Sequence, residues 1–255
     1  AGELVMAHAR RHKTPILAVD SEPSAIWQCL RGESRKVSRI IVTASGGAFR
    51  NRPIEELDAV TPEEALKHPT WRMGKKITVD SASLMNKAFE VIEVHWLFDA
   101  PWERIAVVIH PQSVVHSMVE FADGVVKAQL GPPDMRVPIQ YALFYPRRVP
   151  NAALPRLDTA IQSSLTFQPL DAARYPCFTL ALETARRGGT YPAVLSAADE
   201  VAVEAFLARK IRFTDIPRLV ERVVAAHCDS GTATVERILE ADAWARARAI
   251  ELVGR

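Results

Sequence analysis

The stretch "KITVDSASLMNKAFEVIEVHWLF", which runs from Lys76 to Phe98, decides the fold that we predict. Its first five residues, Lys76 to Asp80, predict a β-strand. The residues from Ser83 to Phe98 place apolar side chains at helical spacing and predict a long helix. A strand that leads into a helix is the repeating unit of an α/β protein.

Strand and helix signals alternate in this way through the first 150 residues. A helix is predicted to begin near Ala25, and further strands are predicted at residues 14–19, 37–44, 104–109, 113–121 and 125–130. The last two strands are joined by an Asp123-Gly124 turn, which predicts an antiparallel hairpin on a sheet that is otherwise of the βαβ type.

The pattern changes after a series of prolines. From residue 166 onward the strand signal is weak, and four helices are predicted, at about residues 175–187, 192–209, 215–227 and 234–252. The predicted fold class is therefore α/β (α+β), with a mostly parallel sheet, followed by an all-α helical bundle. The predicted domains are residues 1–150 and 166–255, joined by a Pro-rich linker over residues 151–165.

Composition excludes several classes of protein. The chain has 255 residues, of which 48% are hydrophobic and 24% are charged, and its formal net charge is +2. No apolar run reaches the length of about 18 residues that a membrane span needs, and no basic cluster reads as a nucleic-acid patch, so we expect neither partner. The three cysteines are odd in number and far apart, which suits a reducing compartment, and we expect a cytoplasmic location.

Two acidic residues, Asp20 and Glu22, follow the apolar run that ends at Val19. In an extended chain, residues two apart point the same way, so both carboxylates can converge on one point. A hard divalent cation relieves the repulsion between them, and oxygen ligands favour Mg²⁺ or Mn²⁺ over zinc. Taken alone, the pattern fits a helix N-terminus with an acidic cap at least as well.

A second group of polar residues lies at the start of the predicted long helix. Asn86, Lys87 and Glu90 are three and four residues apart, so amide, ammonium and carboxylate share one helix face. An exposed Lys–Glu pair is the alternative. Ser81 follows the predicted strand at a helix entrance, where backbone N–H groups favour an anion.

Two loops add candidate ligand groups. Ser45-Gly46-Gly47 follows a predicted strand and leaves backbone N–H groups open to a phosphate, although a plain glycine turn fits equally well. The loop from His68 to Gly74 carries a tryptophan and a methionine, and it can serve as a lid or simply pack as core.

Several segments together resemble one known family. They are "VDSEPSAIWQCL" from Val19, "TASGGAFR" from Thr43, "HPTWRMGKKITVDSASLMNKAFEVIEVHWLF" from His68, "IHPQSVVHSMVEF" from Ile109, "RYPCFTLALE" from Arg174 and "IRFTDI" from Ile211. They resemble the 1-deoxy-D-xylulose 5-phosphate reductoisomerase family, and the resemblance covers essentially the whole chain. It implies an NADPH-dependent oxidoreductase that converts 1-deoxy-D-xylulose 5-phosphate to 2-C-methyl-D-erythritol 4-phosphate in non-mevalonate isoprenoid biosynthesis.

The resemblance also implies roles for residues at matching positions. It implies that residues 1–150 form the metal- and substrate-binding catalytic domain, with Mn²⁺ or Mg²⁺ held by Asp20, Glu22 and Glu90. Substrate binding falls to Ser21, Glu22, Ser45, His68, Ser81, Asn86, Lys87 and Glu90, and catalysis to Glu22, His68, Lys87 and Glu90. Trp71 is implied as the lid, and the nicotinamide of NADPH is implied to lie near Gly74, Met73 and Met135. A phosphorylated sugar is the implied substrate and a homodimer the implied assembly.

The chain departs from the family pattern in several places. The family begins with a nucleotide-binding domain that we expect to be missing here, so we expect these residues alone to turn over weakly or not at all. Pro23 stands where histidine is usual, Ala48 replaces proline, and Asp199 replaces asparagine. We expect the added charge of Asp199 to loosen the contact between the helical domain and the catalytic domain.

Two other functions remain open from the sequence. The chain could be a non-catalytic dimerisation or scaffold fragment of such an enzyme, in which the site residues are remnants. It could also be a metal-dependent phosphosugar isomerase or lyase that needs no nicotinamide.

Overall fold

The structure, a computed structural model, describes residues 1–33, 36–158, 164–229 and 232–254. Its helices are α1 (Gly2–Arg11), α2 (Ser21–Cys29), α3 (Pro62–Ala65), α4 (Lys75–Ser83), α5 (Met85–Phe98), α6 (Arg136–Phe144), α7 (Pro176–Arg186), α8 (Tyr191–Leu207), α9 (Asp215–Ala226) and α10 (Val235–Val253). Its strands are β1 (Val37–Ala44), β2 (Ile105–Ile109), β3 (Val115–Phe121), β4 (Val126–Leu130) and β5 (Gln168–Pro169). Short 3₁₀ helices cover Ile54–Ala59 and Trp102–Arg104.

The chain divides into two compact units, each built from separate segments. The helical unit comprises residues 1–8, 47–92 and 171–255, and the sheet unit comprises residues 9–46 and 93–170. Helix α5 contributes to both units, since the division falls between Ile92 and Glu93. The linear division into residues 1–150, 151–165 and 166–255 remains a prediction, and residues 159–163 of the linker lie outside the described residues.

The sheet unit contains one five-stranded sheet in the order β4-β3-β1-β2-β5. β1 and β2 are parallel, because a long crossover that includes α5 joins them. The pairs β1–β3, β3–β4 and β2–β5 are antiparallel. The α/β class is confirmed, but the sheet is mixed, so the prediction that it is mostly parallel was wrong.

The core of the sheet unit forms where α2 packs on the sheet. Ile26 and Cys29 of α2 are buried against Ile40, Val42 and Val119, and residues 94 and 100 complete the cluster. Burying each large aliphatic side chain stabilises the fold by roughly 1.5–3 kcal/mol. This packing holds the start of α2 against the sheet, where Asp20 and Glu22 lie.

The predicted hairpin of the sheet unit is confirmed. β3 and β4 pair antiparallel with Val119 opposite Lys127. The turn between them includes Gly124, whose φ of +85° lies in the region that favours glycine. The turn residues therefore set the hairpin, as the sequence predicts.

In the helical unit, α8 lies at the centre and packs on α4, α7, α9 and α10. Residues on all sides of α8 are buried, including Val194, Leu195, Val203 and Phe206. By contrast, α9 is strongly amphipathic and buries only one face, which comprises Ile216, Leu219, Val220, Val223 and Val224. All four helices predicted in this part of the chain are confirmed, with ends within two residues of the predicted ones.

One prediction from the deciding stretch was wrong, because Lys76–Asp80 forms helix α4 rather than a strand. The Thr78 hydroxyl donates to the Gly74 carbonyl at 2.7 Å, and Lys76 pairs with Asp80 one turn later. These contacts and the burial of Val79 outweigh the strand preference of the β-branched residues. As a consequence, Ser81 lies in the last turn of α4 and not at the helix entrance that we predicted.

The strand predicted at residues 14–19 is also not observed, and the chain there has no regular structure before α2. Of its apolar residues only Ala18 is buried, while Ile16, Leu17 and Val19 are exposed. A strand needs a partner for its backbone, and this segment pairs with none of the described strands. The helix predicted near Ala25 begins earlier, at Ser21.

Among the described residues, no helix is long enough and apolar enough to cross a membrane.

Candidate metal and substrate residues

The start of α2, in the sheet unit, brings two carboxylates together. Asp20 is the N-cap, and its Oδ1 accepts from the Ser21 N–H at 2.8 Å. Ser21 Oγ donates to Glu22 Oε2 at 2.6 Å. Carboxylate oxygens of Asp20 and Glu22 lie within 4.8 Å of each other. Asp20 therefore caps the helix and converges with Glu22, and the convergence comes from the first helical turn rather than from an extended chain.

Glu93, a residue that the sequence did not single out, adds a third carboxyl group in the sheet unit. Its pKa is raised to about 7, by burial first and then by the charges of Asp20 and Glu22. Acidic groups thus concentrate at the start of α2. A divalent cation would relieve this repulsion, so the donor set fits a hard metal ion.

The beginning of α5 carries the polar face that the spacing predicted. Glu90 accepts from Asn86 Nδ2 at 2.7 Å through Oε1, and from Lys87 Nζ through Oε2. Lys87 is only 6% exposed and Glu90 only 3%. The alternative of an exposed Lys–Glu pair is therefore wrong, because burial removes both groups from water. Glu90 lies one helical turn before Glu93, so the two carboxylates share a side of α5.

His68 connects the predicted lid with α4 inside the helical unit. Its Nδ1 accepts from the backbone N–H groups of Thr70 and Trp71, at 3.2 and 2.9 Å. This assigns the ring proton to Nε2, which lies 3.1 Å from Ser81 Oγ. The pKa of His68 is lowered to about 4, by burial first and then by the charge of Lys87. His68 is therefore neutral at physiological pH and donates to Ser81.

The remaining residues of the predicted lid lie just before α4. Trp71 and Met73 are half-buried, and Gly74 is the exposed N-cap of the helix. In the sheet unit, Met135 is exposed at the start of α6. The roles of these residues in lid closure and cofactor binding remain predictions.

The loop Ser45-Gly46-Gly47 approaches a backbone closely. Gly46 and Gly47 have φ values of +84° and +69°. A Cβ atom on Gly47 would lie 2.3 Å from the Ser81 carbonyl oxygen and 2.6 Å from the Ala82 Cα. The backbone at Gly47 therefore packs directly on the last turn of α4. Consecutive residues with positive φ can form a concave anion site from their N–H groups.

Two family models match the chain. The model for the 1-deoxy-D-xylulose 5-phosphate reductoisomerase C-terminal domain matches residues 16–98. A model described as the DXP reductoisomerase C-terminal domain matches residues 130–248.

Proteins described as 1-deoxy-D-xylulose 5-phosphate reductoisomerase are similar to this chain over its whole length. The 1-deoxy-D-xylulose 5-phosphate reductoisomerase of Heliobacterium modesticaldum is 57% identical over 254 residues, which cover 100% of this chain and 65% of that protein. The protein of the same name from Thermomicrobium roseum is 55% identical over 258 residues, covering 100% of this chain and 67% of its own length. The chain thus spans about two thirds of the length of these relatives.

Solved structures agree with the sequence relatives. The reductoisomerase from Zymomonas mobilis in complex with NADPH superimposes with a TM-score of 0.92 at 43% identity, covering 99% of this chain and 65% of that chain. A DOX-P reductoisomerase in complex with NADPH, fosmidomycin and magnesium superimposes with a TM-score of 0.91 at 40% identity, covering 100% and 67%. From these matches along its whole length, the chain belongs to the 1-deoxy-D-xylulose 5-phosphate reductoisomerase family.

Proposed function

We propose that this chain provides the metal- and substrate-binding part of a reductoisomerase that converts 1-deoxy-D-xylulose 5-phosphate to 2-C-methyl-D-erythritol 4-phosphate with NADPH. The observation that carries the proposal is the meeting of Asp20 and Glu22 at the start of α2, where their carboxylate oxygens lie within 4.8 Å. The charges of Asp20 and Glu22 contribute to the raised pKa of Glu93. Glu90 precedes Glu93 by one turn of the same helix.

In this proposal Asp20, Glu22 and Glu90 hold Mg²⁺ or Mn²⁺. The donors are all carboxylate oxygens, which both ions prefer. Magnesium is present in a solved structure that is 38% identical to this chain. A bound divalent ion polarises a carbonyl group and lowers the pKa of a neighbouring hydroxyl, which serves both the isomerisation and the reduction.

The chain's own polar residues bind and orient the substrate. Lys87 supplies a buried cation, and Asn86 and Ser81 supply neutral hydrogen-bonding groups on α5 and α4. Ser45 and the backbone beside Gly47 complete the phosphate and hydroxyl contacts, while Ser21 contacts the substrate from α2. Holding the phosphate away from the reacting carbons fixes the orientation of the substrate before reaction.

Neutral His68 positions the Ser81 hydroxyl by donating to it, while its other ring nitrogen accepts from the Trp71 N–H at the start of the lid. In this proposal Trp71 would close over the substrate, and Met73, Gly74 and Met135 would hold the nicotinamide. NADPH supplies the hydride when it is bound, and the protein only has to place it.

The metal site is tested by calorimetric titration of the chain with Mn²⁺ and with Mg²⁺. We expect binding that weakens at least about tenfold in Asp20→Asn, because the amide keeps the helix cap but removes the charge. Asp123→Asn is the matched control, since Asp123 also accepts from a backbone N–H, that of Val125 at 3.1 Å, in an exposed turn. Equal affinities in wild type and Asp20→Asn would contradict the metal site.

The same protein then distinguishes the competing functions. Metal-dependent binding of fosmidomycin, the ligand of a solved relative, supports the reductoisomerase site. Absence of any metal binding that depends on Asp20 favours a scaffold fragment, and formation of an isomerised aldehyde without NADPH favours an isomerase without nicotinamide. Assay of NADPH oxidation tests the expectation that these residues alone turn over weakly.

We also infer a homodimer in a reducing, cytoplasmic environment. The edge strand β4 supports the dimer, because it lies at the end of the sheet with its apolar residues exposed. The cysteines support the inference of a reducing environment, since Cys29 and Cys177 are buried free thiols and Cys228 is an exposed free thiol.

A further inference from the structure

Inside the helical unit, two aspartates from different helices meet at one ammonium group. Lys76 Nζ lies 2.6 Å from Asp80 Oδ2 and 2.6 Å from Asp199 Oδ2. Asp80 belongs to α4 and is 2% exposed, while Asp199 belongs to α8 and is 0% exposed. The ion pair of Asp199 therefore joins α4 to α8.

The remaining oxygens of the two aspartates are not satisfied. Oδ1 of Asp80 and Oδ1 of Asp199 are buried, and neither has a hydrogen-bond partner among the described residues. Two ionised carboxylates against the single ammonium of Lys76 would leave one net negative charge buried. Such a charge is costly, and two carboxylates that share a site normally avoid it by keeping one proton.

We propose that Asp80 and Asp199 share one bound proton at neutral pH, and that this proton, together with Lys76, holds α4 against α8. The shared proton makes the cluster electrically neutral and supplies a donor for an otherwise unpaired buried oxygen. Burial, and after it the charge of Asp199, raises the pKa of Asp80 to about 8. Burial likewise raises the pKa of Asp199.

Groups on the same and neighbouring helices do not supply a second cation to the pair. On α7, burial raises the pKa of the Cys177 thiol, so it stays uncharged. On α8, Glu200 adds negative charge, and its carboxylate pairs with Arg246 of α10 at 2.7 Å. On α5, the ring of Phe89 lies 5.2 Å from Lys76 Nζ and carries no charge.

The described residues of α3 and α9 also bring no second cation to Asp80 and Asp199. The carboxylates of α3, Glu63 and Glu64, pair with Arg209 and Arg52 respectively. The buried face of α9 is apolar along its length. Lys76 is thus the cation that the described structure places on both aspartates.

Asp199→Asn is the matched variant that removes the need for the shared proton. Its amide can donate to Asp80 and accept from Lys76 without binding a proton, so Asp199→Asn leaves one carboxylate and one ammonium in the cluster.

Infrared spectroscopy of the full chain at neutral pH tests the proton directly. We expect the C=O absorption of protonated carboxyl groups in the wild type to lose one component in both Asp199→Asn and Asp80→Asn, while the contribution of Glu93, whose pKa is about 7, remains in all three proteins. Absence of that component from the wild type, or its persistence in both variants, would overturn the proposal.

Urea unfolding at several pH values gives an independent readout. The folded state keeps the proton up to the raised pKa of about 8, whereas an aspartate in the unfolded chain loses it near about pH 4. Stability from the shared proton is therefore present at low pH and is lost as pH rises through this window. We expect the unfolding constant of the wild type to increase relative to Asp199→Asn by up to about tenfold per pH unit.

Asp171→Asn is the control, because Asp171 is an exposed aspartate of the same unit that accepts from the Ala173 N–H at 3.0 Å. We expect this variant to follow the wild type across the whole pH range. Parallel curves for wild type and Asp199→Asn would contradict the shared proton, and Asp80→Asn repeats the test in case Asp199→Asn unfolds.

Discussion

His68 is a residue whose protonation the fold opposes. Its Nδ1 accepts from two backbone N–H groups and its ring is partly buried, so a second ring proton would break both hydrogen bonds. The pKa of His68 is lowered from 6.5 to about 4 by burial first and by Lys87 second. Stability that depends on neutral His68 is therefore complete above about pH 6.5 and is lost as pH falls towards about 4.

Replacing His68 with glutamine removes this titration. Between about pH 6.5 and 4, we expect the unfolding constant of the wild type to rise relative to His68→Gln by up to about tenfold per pH unit, as measured by urea unfolding. His8→Gln, at an exposed position of α1, is the control and should follow the wild type. If His68→Gln keeps the acid-dependent loss of stability, His68 is not its source.

At the residue scale, the sequence identified polar groups more reliably than their surroundings. The spacing of Asn86, Lys87 and Glu90 correctly predicted one shared helix face, because three- and four-residue offsets are a local property. It did not predict the burial of the Lys87–Glu90 pair, which depends on what packs over it. Glu93 was missed, although its position three residues after Glu90 was a signal that could have identified it.

At the scale of elements, the break between α4 and α5 places the substrate residues. Leu84 ends α4 with a φ of +57°, and α5 begins at the next residue. The loop at Gly47 packs on the turn just before this break. The backbone contact at Gly47 is therefore part of what holds Ser81 in place.

Adding a methyl group at Gly47 tests this contact. In Gly47→Ala, the Cβ would lie 2.3 Å from the Ser81 carbonyl oxygen, so α4 must shift in addition to the cost of a positive φ. The matched control is Gly188→Ala in the same unit, where φ is also +69° and a Cβ has nothing within 4 Å. We expect about 1–2 kcal/mol of destabilisation in the control, and more in Gly47→Ala.

Urea unfolding measures the loss of stability in Gly47→Ala and in Gly188→Ala. Fosmidomycin binding reports on the substrate-binding residues. We expect ligand affinity to fall in Gly47→Ala and to be unchanged in Gly188→Ala. Equal stability of the two variants would mean that the close approach at Gly47 relaxes without cost.

At the scale of the whole molecule, the proposed homodimer predicts that β4 lies in an interface. Val126 and Leu130 on this edge strand are 47% and 41% exposed. Lys127 on this strand already pairs with Glu33, whereas a second lysine without such a partner opposes pairing of the edge strand with another chain. We therefore expect Val126→Lys to weaken dimerisation at least about tenfold, as measured by sedimentation over a range of concentrations.

Leu239→Lys is the control for the dimer, since Leu239 is an exposed apolar residue on α10. It should leave the sedimentation of the chain unchanged. A dimer that is weakened by Leu239→Lys and not by Val126→Lys would assign the interface to the helical unit, against our inference.

What the sequence by itself determined is the part of the protein that depends on neighbours along the chain. The four C-terminal helices, the β3–β4 hairpin and the polar face of α5 follow from short-range spacing and turn residues. The family followed from motifs spread over the same chain. These features are local because their hydrogen bonds and side-chain contacts form within a few residues.

Only the tertiary structure decided the features that depend on burial and on distant partners. Residues 76–80 form a helix although their β-branched side chains favour a strand, because Val79 is buried and Lys76 meets both Asp80 and Asp199. Asp199 joins helices α4 and α8 through Lys76, and its effect on the contact between the predicted domains remains a prediction. The physical reason is that the energy of a charge is set by its solvent exposure and its partners, and a linear sequence specifies neither.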